Sequence, residues 1–380
     1  MKLLSNKSLL IGLPISMLLF ITSCKKDTVE PEEEETPTPS GPTYNIPTTY
    51  NFTSSDFTTS TQRIAMLGEM ITYIRSTHTT TQTTQPTILA QTLKDMYVNA
   101  NNQFTLTTLN TSGIQLKDKT DNTFSFQTTL EASFDDAELA SVTAAANPTV
   151  STASNGVRGK LVTATRAILV DANGLEYKEL AEKGLMGAVL YYQAMNILKN
   201  IATYDNVTKV NGLTAQEKAW DEAFGYFGVP VDFPTNTTGL KNWGSYCNSV
   251  NVAIGSNSTI MDAFLKGRAA ISNNDTTRRD ANRDVVMATW EKVVAAKCIS
   301  YLKGAKNNLS DISTLHHNLS EGYGFIKSFK YNSSKTISDA DILILEGYIG
   351  TNFYNLVPSN LDNAINKLAT VFNLNASLIP

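Results

Sequence analysis

From Glu176 to Phe372 apolar residues recur three and four positions apart, which is the period of a helix with one buried face. Tyr177 to Ile201 and Asp280 to Leu302 read as long helices. Leu361, Ile365, Leu368 and Phe372 mark the buried stripe of a last one. Start signals punctuate the pattern. Thr214-Ala215-Gln216-Glu217 has the form of a capping box, and Thr259 with Asp262, Ser338 with Asp341 and Ser359 with Asp362 place acidic first turns on three more helices. Residues 46–165 are richer in Thr and Asn, with Thr79 to Pro86 reading as an exposed loop. Even there Ile64, Leu67, Ile71 and Ile74 share one helix face, as do Leu89, Leu93, Met96 and Tyr97. Phe124 to Thr129 alternates weakly and fits a short strand or an extended loop. Convincing strands are missing elsewhere. The expectation is an all-α fold of helical bundles joined by polar loops, with 46–380 as the folded domain and 166–380 as its main helical part.

The N-terminus has a different logic. Lys2 and Lys7 precede an apolar stretch from Leu9 to Ile21, shorter than the roughly 20 residues a membrane-spanning helix needs. Residues 1–23 therefore read as a signal peptide. Ile21-Thr22-Ser23-Cys24 resembles the bacterial lipobox, which implies a diacylglycerol on Cys24, cleavage before it and acylation of the new N-terminus. Residues 24–45 hold Glu32 to Glu35 and a Thr/Pro run, and such a segment cannot bury enough apolar surface to offset its ordering entropy. They read as a tether, leaving a lipoprotein on the outer membrane, at its periplasmic face or the cell surface.

The chain carries 31 basic against 35 acidic residues, for a net charge of −4. Its notable basic pair, Arg278-Arg279, lies among Asp275, Asp280 and Asp284, so a nucleic-acid partner is not expected. Cys247 and Cys298 fit either a disulfide or two buried thiols. A nucleophile elbow, an H-E-x-x-H helix and a phosphate loop are all missing from the sequence. Only His78, His316 and His317 could serve as histidine bases. The chain reads as non-catalytic.

Glu222-Ala223-Phe224-Gly225-Tyr226-Phe227 aligns with Glu321-Gly322-Tyr323-Gly324-Phe325-Ile326, as two related helical halves would. Together with Lys183 to Ala188, Trp220 to Gly228 and Asp262 to Arg268, these segments resemble an uncharacterised family of Gram-negative lipoproteins. That family is similar to the imelysin-like proteins, and the resemblance implies helical bundles at the envelope and a link to iron uptake. The His-x-x-Glu pair of imelysin-like proteins is missing at Glu222, where Ala219 stands three positions earlier.

His317 and Glu321 are four apart and so share a helix face, with His316 beside them. Glu222 holds the matching place in the other repeat. An imidazole and two carboxylates on facing helices would make a metal site for iron or another divalent cation. The plainer alternative is a His–Glu pair on a solvated face. Gly184, Gly187, Gly225 and Gly324 read as points of close helix approach, and the neighbouring aromatics as core. The functional expectation is an accessory lipoprotein working with iron-uptake components. The alternatives are a structural or adhesive surface lipoprotein binding glycan or protein, and, third, a carboxylate-dependent hydrolase.

Overall fold

A computed structural model describes residues 41–380. The expected signal peptide, Cys24 and most of the expected tether lie outside the described residues. Residues 44–380 form one compact unit, and it is an all-α helical bundle. Among the described residues no helix is long and apolar enough to cross a membrane.

The first half supplies α1 (Thr58–Arg75), α2 (Ala90–Val98), the single turn α3 (Thr107–Asn110) and α4 (Phe126–Ala145). Ile64, Leu67, Ile71 and Ile74 face the core from α1 as their spacing predicts. Phe124 to Thr129 is neither strand nor extended loop, because α4 begins at Phe126 and buries Phe126, Leu130 and Phe134 on one face. A hairpin follows: β1 (Gly159–Val162) pairs antiparallel with β2 (Ala167–Val170), in register Gly159 opposite Val170. Its pairing joins the Thr-rich part of the chain to the main helical part.

Next come α5 (Tyr177–Leu185) and α6 (Tyr192–Lys199), linked without a break by a π-helical turn over Met186–Tyr191. The wider turn leaves carbonyls to outside donors. Trp243 Nε1 donates to Met186 O at 3.1 Å and the Asp121 amide to Ala188 O at 2.8 Å. A two-residue ribbon, β3 (Lys209–Val210) and β4 (Leu213–Thr214), leads into α7 (Ala215–Phe227). The rest is helical: α8 (Asn242–Ile254), α9 (Ser256–Ser272), α10 (Thr276–Asn307), α11 (Ile312–Ser328), α12 (Asp339–Ile349) and α13 (Ser359–Phe372).

α10 is the spine. Its 32 residues, about 48 Å at 1.5 Å per residue, pack along α9, α11 and α13. Val286, Trp290, Val294, Cys298 and Leu302 form its buried stripe. One continuous core runs from α1 to α13 and encloses Trp220, Trp243 and Trp290. Cys247 and Cys298 are both free and buried, which settles the sequence's open alternative in favour of two thiols.

The caps follow the sequence at Thr214, whose box with Glu217 is complete, and at Ser338, which accepts from the Asp341 amide. They differ at two other starts. α9 begins upstream at Ser256, so the Thr259 hydroxyl turns back to Gly255 O, while α13 does start at Ser359 with Asp362 in its first turn but has Pro358, not Ser359, at the N-cap position. The glycines do mark close packing. A Cβ on Gly225 would meet Phe57 and Ser60 at the head of α1, and one on Gly324 would lie 2.4 Å from Lys183 Cβ in α5.

Candidate functional site

The N-terminus of α5 is set by a turn that its sequence dictates. Asp171 Oδ1 accepts from the amides of Asn173 and Leu175, at 2.8 and 2.9 Å. Gly174 takes φ +87°, a left-handed conformation that favours glycine. A Cβ there would also lie 2.2 Å from the His316 ring. The Glu176 amide then donates to Ser320 Oγ of α11 at 2.9 Å, which fixes α5 against α11. Glu176, Glu179 and Lys183 follow at helical spacing and meet His317 and Glu321, with Glu182 beside Lys178 and Lys183.

The result is a buried cluster of charge. His317 Nδ1 lies 2.8 Å from Glu176 Oε2 and 3.4 Å from Glu179 Oε1, and its Nε2 lies 3.8 Å from Glu321 Oε1. Glu176, Glu179 and His317 each offer a donor atom within 4.8 Å of the others. His78, from the head of the Thr-rich loop, brings Nδ1 to 3.8 Å from Glu176 Oε1. That loop is held by Lys160, whose ammonium donates to Thr79 O and Gln85 Oε1 at 2.7 and 2.6 Å. Two lysines serve as internal counterions. Lys183 Nζ sits 3.0 Å from Glu179, 3.2 Å from Glu182 and 3.1 Å from Glu321, while Lys178 pairs with Glu179 and Glu182.

Pairing in this cluster is incomplete. Among the described residues eleven buried side-chain polar atoms lack a hydrogen-bond partner, and six belong here: His78 Nε2, Glu176 Oε1, Glu179 Oε2, Glu182 Oε2, Lys183 Nζ and Glu321 Oε2. Several stand at ion-pair distance but off the hydrogen-bond angle, so they attract without being saturated. Four carboxyl groups share two ammonium groups and the His317 imidazole, and any charge left unpaired is costly to bury here. A cavity of about 570 Å³ opens onto this side, with His78, Glu176, His317 and Glu321 in its wall.

The titration shifts follow from that arrangement. Burial, then Glu179, push Glu321 up to about 7. Burial would raise Glu179 too, but Lys183 and Lys178 outweigh it and hold the carboxylate below its usual range. Burial opposes charge on His317, yet Glu176 and Glu179 raise it. His78 is pushed down to about 4, because burial there exceeds the pull of Glu176, and it is a neutral imidazole at pH 7.

The sequence-predicted trio is thus divided. His317 and Glu321 come together as their spacing requires, and the solvated-face alternative fails because Glu321 is buried and only 12% of the His317 side chain is exposed. Glu222 is elsewhere. It lies on α7, accepting from Tyr226 at 3.2 Å, and Tyr226 in turn receives Arg63 of α1. The repeat aligns in sequence, but α7 packs on α1 whereas α11 packs on α5, so the two glutamates serve different interfaces. His316 also turns away, its Nδ1 3.0 Å from Gly174 O and its ring against Tyr354. Sequence reasoning missed Glu176, Glu179 and Lys183. The signal was a charged face on 176–183 directly ahead of the wholly buried run Met186–Tyr191, for a solvated helix would not continue that way.

A family model described as a domain of unknown function, DUF4856, matches residues 47–344. The chain belongs to the DUF4856 family. No curated protein and no solved structure matches it. The matched segment of this DUF4856 protein contains the whole charge cluster and both repeat motifs, while α13 lies beyond it.

Proposed function

We propose that this DUF4856 protein is a lipid-anchored envelope protein, attached through Cys24, whose helical domain binds iron or another divalent cation without catalysing a reaction. The anchor rests on the signal-like N-terminus and the lipobox resemblance. The link to iron uptake and its components rests on the resemblance to imelysin-like proteins. The observation that carries the binding reading is the Glu176, Glu179 and His317 donor set, buried and beside a cavity. Carboxylate oxygens with imidazole nitrogen suit ferrous iron, manganese and zinc alike. Neutral His78 stands ready as a further nitrogen donor, and a cation would pair with the Glu176 and Glu179 carboxylates in place of the His317 proton.

Thermal unfolding of the folded domain tests this, metal-free and with ferrous iron, manganese or zinc. A cation at a hundred times its dissociation constant should add about 2.7 kcal/mol. His317→Ala and Glu176→Gln should remove most of that gain. If no cation raises the wild-type midpoint, or both variants keep the full shift, the cluster is an internal ion-pair network and the metal reading is wrong.

A further inference from the structure

A second and larger cavity, of about 670 Å³, lies between α4, α5 and α11, in the size range of small-molecule sites. It shares Glu179 and Lys183 with the cluster around His317 but has none of the wall residues of the smaller cavity, and a ligand could enter it without bound metal. Its walls are mainly apolar and aromatic, with Phe124, Phe126, Leu180, Tyr323 and Tyr331 prominent. Phe124 meets Tyr331 edge to face at 5.8 Å and remains half exposed, so part of this aromatic surface is open to a ligand.

Charge is arranged unevenly around it. On one side stand Lys327 and Lys330, each over an aromatic ring, Tyr323 at 4.9 Å and Phe124 at 6.0 Å. Both reach the same oxygen of Glu346, at 2.9 and 2.6 Å, and Glu346 is not in the cavity wall. Two ammonium groups therefore share one carboxylate, leaving net positive charge at the wall. On the other side Asp136 is taken up by Arg158 at 2.6 Å and by the Tyr177 hydroxyl, and Asp171 accepts the amides of its own turn. The acidic side is engaged while the basic side keeps donors to spare.

We propose that this cavity binds a small, flat, apolar molecule carrying one anionic group, an aromatic carboxylate or sulfonate in chemistry. The rings stack or edge against its body, and Lys330, with Lys327, takes the anion. A charge-assisted contact to an ammonium half shielded by aromatic rings is stronger than the same contact in open water.

Two fluorescent probes separate the parts of this claim: anilinonaphthalene sulfonate and its uncharged parent, phenylnaphthylamine. The folded domain should bind the sulfonate saturably at one site. Lys330→Met, which keeps the Lys327–Glu346 pair, should weaken it about tenfold, the loss of roughly one charge-assisted contact, and leave the parent unchanged. Ala132→Trp adds bulk from an exposed position of α4 in the cavity wall and should abolish both, with an unchanged thermal midpoint as the control for folding. Binding of either probe that survives Ala132→Trp would overturn the site. Equal effects of Lys330→Met on both probes, or no effect on either, would overturn the anionic assignment.

Discussion

Two buried charge clusters in this protein invite comparison, because they use similar residues to opposite ends. In the first, Arg268 of α9 sits between Asp221 and Glu217 of α7. Asp221 Oδ1 accepts Arg268 Nε at 2.8 Å and the Tyr50 hydroxyl at 2.9 Å, and Oδ2 accepts the Asp56 amide at 3.2 Å. Glu217 takes Arg268, Ser272 and the Thr214 amide at 2.9, 2.8 and 3.0 Å. Every carboxylate oxygen there has a donor. Around His317, six buried polar atoms lack a well-formed hydrogen bond, though ammonium groups stand 2.6, 3.0 and 3.1 Å from three of the carboxylate oxygens among them, and a cavity adjoins the cluster. Desolvation costs both clusters, and burial pushes even Asp221 upward. The closed cluster offsets it with hydrogen bonds that tie Tyr50–Asp56, α7 and α9 together. The open one relies on ion pairs to Lys178 and Lys183 and on the His317 contacts instead of a full set of hydrogen bonds.

The largest expected effect tests the closed cluster. Arg268→Met would strand two buried carboxylates, which costs about 3–5 kcal/mol when a buried pair is broken from one side. Urea unfolding should show that loss in the midpoint without a change of slope. Lys183→Met, in the open cluster, should cost clearly less, because Glu321 already takes a proton near neutrality and can do so more readily without the ammonium. Equal costs would erase the distinction between the clusters.

A smaller effect sharpens the open cluster. Glu321 titrates near 7 in the fold against 4.5 unfolded, so the folded state favours its protonated form. That contribution is complete below about 4.5 and is lost as pH rises through about 7. His317, also raised, adds in the same direction above its unfolded value of 6.5, whereas His78 works the other way, stabilising above 6.5 and losing that as pH falls toward about 4. Comparison with Glu321→Gln isolates the carboxylate. Between pH 5 and 8 the metal-free wild type should lose on the order of 2 kcal/mol more than the variant. Parallel pH profiles would show that Glu321 is not held in its acid form.

The sequence revealed the two clusters to different depths, for physical reasons. Helix period and caps are local, so α1, α10 and α13 and the Thr214 box could be read directly. The His317–Glu321 pair was legible because one helix turn carries both. Glu176 and His78 were not, since they reach the site through a turn and a loop whose contacts are long-range. The hairpin at 159–170 was hidden by its shortness, four residues a strand, and Glu222 misled because repeat alignment says nothing of which helix lies opposite.

The smallest effect belongs to the part that was easiest to read. Thr214 caps α7 with its hydroxyl, which accepts the Glu217 amide at 3.1 Å and donates to Asn206 at 2.7 Å. Thr214→Ala removes these bonds but keeps the backbone amide that donates to Glu217 Oε2, so Glu217 stays aimed at Arg268. Loss of a cap alone costs typically about 1 kcal/mol. If the closed cluster stands on its own hydrogen bonds, Thr214→Ala and Arg268→Met should add nearly independently in a double-mutant cycle. If the cap instead positions Glu217, the double variant should lose less than the sum by more than about 0.5 kcal/mol. The cycle thus decides whether the closed cluster is built by the local helix start or by the packing of α7 against α9.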